Sequence, residues 1–391
     1  MGEAPVGESP STSPSTSIPV AEVTTSDEAF YAPIDPVPVV PHGTLLRSQL
    51  VEPGLAGGGA SYRIMYASES VAGEPIAVTG WVDLPTPGSP VRADGIPVIS
   101  WGHGTTGMAD ACAPSKFLDY GGAGAALRDD GFAIVATDYE GLGTPGLHPY
   151  LVGESEGRSV LDATLAAREL PGVVLGDRTV LWGHSQGGHA VAFAHQLAAT
   201  WAPELEVVGT VAIAPPAVLS KSLPAAAAIG ANMFMLMAMA GVNAAHPEAD
   251  LSAILKPEAV QALGVLDTAC DLQLANELPG GRDLLIANPG MVEPWATLTA
   301  ANDPGGVTAK APVLIVHGDA DNTVPPVLSR ALAQRWCDGG QVVQRWLAPG
   351  LAHATVLTLA PQMRRWVLDR FDDAAAVDGC GDLDARPPRG T

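Results

Sequence analysis

Basic charge is what this chain has least of. Only 20 lysines and arginines stand against 42 aspartates and glutamates, a formal charge of −22 over 391 residues. A surface of that sign repels phosphate backbones, which argues against nucleic acid as a partner. No polybasic segment is present to hold the chain on anionic lipid. Aromatic residues are also scarce, at 5%. There are four cysteines, Cys112, Cys270, Cys337 and Cys380, and none sits in a Cys-x-x-Cys pair. Neither a zinc knuckle nor a thioredoxin-like site is expected; two disulfides in one of three pairings remain open, as do buried free thiols. The histidines follow no His-Glu-x-x-His spacing, so no metal is expected. Long apolar runs are limited to residues 223–242, which carry no charge. Alanine and glycine dilute that run and Asn232 interrupts it, so a buried helix is expected there and not an integral membrane span. Its methionines, at 233, 235, 237 and 239, alternate at spacing two, which on a helix spreads them over more than one face.

What is present is apolar material, 47% of the chain, enough for a sizeable core. Residues 1–26 are rich in serine, threonine and proline and are expected to be a disordered tail. No basic n-region or apolar h-region opens the chain, so no signal peptide is visible, although such tails often follow a removed export signal. Residues 27–60, rich in proline and glycine, read as an irregular lead-in. From Tyr62 short apolar strands alternate with helical segments: 62–68, 75–85, 96–104, 132–143, 178–185, 206–216, 311–319 and 341–349 as strands, with 158–170 and the segment from Gly187 as helices. That rhythm predicts an α/β fold, a mostly parallel sheet with helices on both faces. Residues 217–305 break it with helix-like segments. The expected organisation is a core of 27–216 and 306–391, interrupted by a helical lid or cap at 217–305.

One motif carries chemistry. Gly183-His184-Ser185-Gln186-Gly187 matches G-x-S-x-G, set after an apolar strand and before a helical run. A serine there sits on a sharp strand-to-helix turn, and the flanking glycines make room for the close-packed neighbours. Serine needs a base, and the base needs an orienting acid, in the chain order Ser, Asp or Glu, His. The loop "HGDADNTVPP" offers Asp319 and Asp321; the Asp-x-x-Val-Pro pattern selects Asp321, and Asp319 suits a loop-supporting role. His353, in "APGLAHA", is the only histidine after the acid. His184, His189, His195 and His317 read as packing or supporting groups. An oxyanion site calls for the backbone amide of Gln186 and a second amide from the "GHGTT" loop, either Thr105 or Thr106, with Gly104 allowing close approach.

Together "SWGHGTTG", "DYEGLGTPGLHPYLVGESEGRSVLDA", "WGHSQGGHA", "HGDADNTVPP" and "GLAHA" resemble the secretory lipase family typified by Candida antarctica lipase A, especially its actinobacterial branch. The resemblance implies the α/β-hydrolase fold, a late helical lid, and Ser185, Asp321 and His353 as the catalytic triad. It also implies two disulfides, Cys112–Cys270 and Cys337–Cys380, and hence an oxidising, extracellular setting. The chain departs from the yeast-type members, which place an aspartate in the oxyanion loop, so no preference for acid is carried over.

The expected activity is hydrolysis of carboxylic esters with an apolar acyl part, through an acyl-enzyme and without a cofactor. The expected partner is an ester or lipid substrate, at a lipid–water or polymer interface. Peptidase, amidase or acyltransferase activity would use the same triad. A non-catalytic binding module is a further alternative, disfavoured by three triad-type residues in the right order.

Overall fold

The structure, a computed structural model, describes residues 21–51, 59–90, 92–93, 95–117, 124–226, 232–279 and 284–388. Ten strands form one sheet: β1 (Glu22–Thr24), β2 (Leu45–Val51), β3 (Ser61–Glu69), β4 (Pro75–Asp83), β5 (Ile96–Gly102), β6 (Ala133–Thr137), β7 (Leu175–His184), β8 (Glu206–Ile213), β9 (Val313–Gly318) and β10 (Val343–Ala348). Their spatial order is β1-β2-β3-β4-β6-β5-β7-β8-β9-β10. From β6 through β10 every pairing is parallel, whereas β2, β3, β4 and β6 pair antiparallel in succession. The helices are α1 (Asp27–Tyr31), α2 (Gly124–Asp129), α3 (Gly153–Ala167), α4 (Gln186–Trp201), α5 (Leu219–Ala226), α6 (Asn232–Ala245), α7 (Pro257–Ala262), α8 (Asp271–Glu277), α9 (Trp295–Ala301), α10 (Pro326–Asp338) and α11 (Ala360–Phe371).

Alternation along the strands divides the core into two layers. Val180 and Trp182 of β7 and Val211 and Ile213 of β8 pack with Leu127 of α2 and with Met363, Trp366 and Val367 of α11. The intervening Leu181 and Ala212 face the other way, onto Val160 and Leu161 of α3 and Ala190, Val191 and Ala194 of α4. Leu332, Ala333 and Trp336 of α10 cover Val313 and Ile315 of β9. The central strands are buried on both faces, which is why they read as continuous apolar runs in the sequence.

Two expectations are corrected at the amino-terminal side. Residues 1–20 of the expected tail lie outside the described residues, but Glu22–Thr24 is a strand, paired in parallel with β2. The lead-in is likewise not irregular throughout: it contains α1 and β2. The reason is a buried guanidinium. Arg47 of β2 is 7% exposed and donates to Glu22 Oε2 at 2.7 Å, to the Phe30 carbonyl at 2.8 Å and to the Ala32 carbonyl at 2.7 Å. A buried charge is tolerated only when so paired, and its partners are thereby ordered. Composition does not reveal that.

Helices α5 to α9 all fall between β8 and β9. The apolar run expected as one buried helix is two, α5 and α6, with residues 227–231 outside the described set. No helix among the described residues is long and apolar enough to cross a membrane. Met235, Met237 and Met239 are all fully buried, in a cluster with Leu236, Ile254 and Trp295, while Met233 packs at its margin. The unbranched thioether fits such a surrounded helix on several faces. The segment 250–266, helix-like in sequence, forms only short turns around α7.

The cysteines form two disulfides. Cys112–Cys270 joins the turn after β5 to the start of α8, and Cys337–Cys380 ties the end of α10 to the carboxyl-terminal segment. The latter closes a loop with a sequence separation of 43, for which chain-entropy scaling gives about 4 kcal/mol. The double substitution Cys337→Ser/Cys380→Ser is expected to lower the unfolding free energy by roughly that amount, read by guanidinium unfolding without reductant.

Candidate active site

Ser185 follows β7 and precedes α4, with φ 58° and ψ −121°. That backbone region is strained for any side chain except glycine, and it persists only where the surroundings enforce it. They do so here through close packing. A Cβ on Gly187 would lie 1.9 Å from the Gly102 carbonyl oxygen at the end of β5, and one on Gly183 would lie 2.1 Å from the Gly187 carbonyl oxygen. The Ser185 amide donates to the Ile213 carbonyl of β8 at 2.9 Å, which pins the turn to the sheet. The serine is left at the amino end of α4, where unpaired amides and the helix dipole favour negative charge.

Two loops bring histidine and carboxylate to this point. Both leave the same sheet edge, because Gly318 and Ala348, which end β9 and β10, are register partners. His353 Nε2 lies 2.9 Å from Ser185 Oγ, and His353 Nδ1 lies 2.7 Å from Asp321 Oδ2. Asp321 Oδ1 accepts from the amides of Thr323 at 2.8 Å and Val324 at 2.9 Å. Asp319 does not reach the imidazole; its Oδ1 accepts from the Gly350 amide at 2.6 Å and so braces the His353 loop.

His317, on β9, supports the carboxylate. Its Nε2 approaches Asp321 Oδ2 at 3.1 Å and the Val324 carbonyl at 2.9 Å. Both partners only accept, so Nε2 carries the proton. Burial of the Asp321 carboxyl works against its charge, but the hydrogen bonds from His317 and His353 outweigh it and hold the group well below the usual carboxylate range. His184 donates from Nε2 to the His353 carbonyl at 3.0 Å, and its ring lies 4.6 Å from that of His353. Burial, and then proximity to His353, pushes His184 down to about 4.

The "GHGTT" loop lies beside the serine: a Cβ on Gly104 would be 3.9 Å from Ser185 Cβ. Thr105 Oγ1 is hydrogen-bonded to the Tyr150 hydroxyl at 2.8 Å, whereas Thr106 Oγ1 is buried with no hydrogen-bond partner. Gln186, 1% exposed, holds its amide in the first turn of α4. Its side-chain Nε2 contacts Glu156 and His148, while its Oε1 is buried without a partner, a cost of about 1–3 kcal/mol.

An apolar cavity of about 290 Å³ opens at Ser185. Its walls include Tyr150, Lys221 and Leu223 of α5, Met235 of α6, Val324 and Leu328. Sequence reasoning did not single out Tyr150 or Glu156. Glu156 left a trace: it shares the i, i+4, i+7 stripe of α3 with Val160 and Ala163, an acidic residue on a buried face.

The sequence profile of the secretory lipase family matches residues 124–279 and 299–379, more than half of the chain. Lipase 5 of Candida albicans is 26% identical over 91% of this chain and 82% of its own length. A secreted triacylglycerol lipase of Malassezia globosa is 25% identical over 90% and 83%. Among solved structures, Candida antarctica lipase A in its closed state superposes with a TM-score of 0.77 at 21% identity, covering 93% of this chain and 90% of that one. The rice cell wall degrading esterase LipA of Xanthomonas oryzae gives 0.71 at 19% identity, covering 86% and 100%. These structures share the α/β-hydrolase fold.

Buried neutral histidines give the protein an acid limit. Burial lowers His103 to about 4, His148 to about 3, and His195 to about 4, alongside His184. Each folded-state value lies below the unfolded one, so the unfolded chain binds more protons as pH falls below about 6.5. Stability is therefore lost from there down to the folded values, on the order of 3 kcal/mol per histidine at full effect. Asp138, raised to about 6 by burial, works in the opposite sense, as do Glu140, raised by burial, and His42, raised by its hydrogen bond to Asp162. The four histidines prevail: the denaturant midpoint is expected to fall steadily from pH 7 to pH 4.5, measured by equilibrium unfolding.

With the fold, the position of the serine turn and the family profile in agreement, the chain belongs to the secretory lipase family and is a carboxylic ester hydrolase.

Proposed function

We propose that Ser185, His353 and Asp321 form the catalytic triad, cleaving carboxylic esters with an apolar acyl part through an acyl-enzyme. The observation that carries this reading is the unbroken chain of contacts from Ser185 Oγ through both ring nitrogens of His353 to Asp321 Oδ2, at 2.9 and 2.7 Å, on a strained turn. Ser185 Oγ attacks the ester carbonyl as His353 Nε2 takes its proton. Asp321 orients the imidazole and stabilises its charged form, without itself being protonated. The amide of Gln186 and one from Thr105 or Thr106 hold the oxyanion. His353 then protonates the leaving alcohol. A water that gives its proton to His353 attacks the acyl carbonyl, releasing the acid and restoring Ser185.

The cavity at Ser185 supports an apolar acyl group, since a mostly apolar wall gains from burying methylenes and offers little to a peptide's polar backbone. Helices α5 and α6 supply one wall, which supports the insertion as a lid over the site. An interfacial lipid or polymer ester, a polyester included, is the substrate class this reading favours. The disulfides and the secreted relatives support an extracellular setting. Amide hydrolysis and acyl transfer use the same groups; the family and the apolar cavity favour esters hydrolysed by water.

Ser185→Ala is expected to lower turnover of 4-nitrophenyl esters at least ~10⁴-fold, leaving the thermal midpoint unchanged; undiminished turnover would remove Ser185 from the nucleophile role. Ser222→Trp, at the cavity wall, is expected to shift preference toward acyl chains of about four carbons or fewer at the expense of long ones. An unchanged chain-length profile would place the acyl group elsewhere.

A further inference from the structure

Behind the serine turn lies a buried polar cluster that the triad does not use. Glu156, at the first turn of α3, is fully buried. Its Oε1 accepts from the Gln186 side-chain Nε2 at 2.8 Å and from the Leu151 amide at 3.0 Å. Its Oε2 faces His189 Nδ1 at 2.9 Å, and His189 Nε2 faces the Asn302 carbonyl at 3.0 Å. The Asn302 carbonyl only accepts, so Nε2 is protonated, and a single further proton lies between Nδ1 and Oε2. The second hydrogen of Gln186 Nε2 goes to His148 Nε2 at 2.7 Å. That ring donates from Nδ1 to the Glu140 carbonyl at 2.8 Å and is kept neutral by burial, so its Nε2 is free to accept.

Both hydrogens of the Gln186 amide group are thus committed, to partners on α3 and on the loop before it. The residue held in this way is the one that follows the nucleophile. The glutamine carries a cost of its own, because its Oε1 is buried without a partner. From this geometry we infer that Glu156 and His148 are positioning residues for the oxyanion site: they grip the Gln186 side chain and so fix the direction of its backbone amide toward the acyl oxygen. Glu156 reaches the cavity wall as well. It holds the amide of Leu151, which adopts φ 57° and lines the cavity beside Tyr150. One carboxylate thereby sets both the oxyanion donor and the adjacent wall.

The inference rests on the assignment of Gln186 as an oxyanion donor, and the test separates the two. Gln186→Met keeps the backbone amide and the side-chain length but releases the grip. For 4-nitrophenyl butyrate, kcat is expected to fall roughly 10–100-fold, less than the 10²–10³ of a deleted donor, with KM within about twofold. The Ki of phenylboronic acid, whose tetrahedral adduct places an oxygen in the oxyanion site, should rise by the same factor, while the thermal midpoint also falls because His148 Nε2 and Glu156 Oε1 lose a donor. Glu156→Leu should lower kcat similarly and also raise KM, because Leu151 is released. Glu156→Gln should restore both to within about threefold of the parent: its carbonyl can accept from Gln186 and Leu151, and its amide can donate to His189 Nδ1. If Gln186→Met keeps the parent's kcat and Ki, the inference is overturned while the triad stands. If Gln186→Met does not fold, the Glu156 pair decides, and Glu156→Gln falling as far as Glu156→Leu overturns it. Persistent turnover in Ser185→Ala would instead sink the underlying assignment.

Discussion

The site depends on the contact between two backbones, the Gly102 carbonyl at the end of β5 and the first turn of α4 at Gly187. With no Cβ at residue 187, α4 can start directly over the strand ends, and the chain must turn through a left-handed residue to get there. That residue is Ser185. Its strained φ raises the hydroxyl out of the sheet, and the same turn leaves it at the amino end of α4. The cost of the strain is met by the double-sided burial of β5, β7 and β8 against α3, α4, α2 and α11, which leaves the turn no alternative conformation of comparable packing.

The parallel register carries this constraint to the partners of the serine. Strands that run in one direction release their loops at one edge, and ligand and catalytic groups gather there. Pairing of Gly318 with Ala348 sends the Asp321 and His353 loops out side by side. Polar groups then brace each loop: Asp319 holds Gly350, His184 holds the His353 carbonyl, and His317 holds Asp321. A protein of charge −22 therefore places around its serine three histidines, of which His184 is kept neutral by burial, and one tightly bound carboxylate. Its excess charge stays at the surface, where water screens it.

The central strands were legible because burial on both faces forces continuous apolar runs, and the serine turn because only glycine fits at 183 and 187. The amino-terminal strand and helix were not, since they are ordered by Arg47, a buried cation whose partners come from Glu22, Phe30 and Ala32. The apolar run at 223–242 read as one helix for want of any local signal to divide it. Glu156 belongs to no motif in an acidic chain, and only its place on the buried stripe of α3 marks it.

By itself the sequence determined the residue types, their order and the periodicity: a serine turn, then an aspartate loop, then a histidine loop, on alternating strands and helices. Those follow from local sterics and hydrophobic pattern. Tertiary structure alone decided distances and protonation. It set which aspartate faces His353, which nitrogen of His317 bears the proton, and how α5 and α6 wall an apolar cavity against Ser185. Such facts arise from contacts between residues far apart in the chain, and no local pattern encodes them.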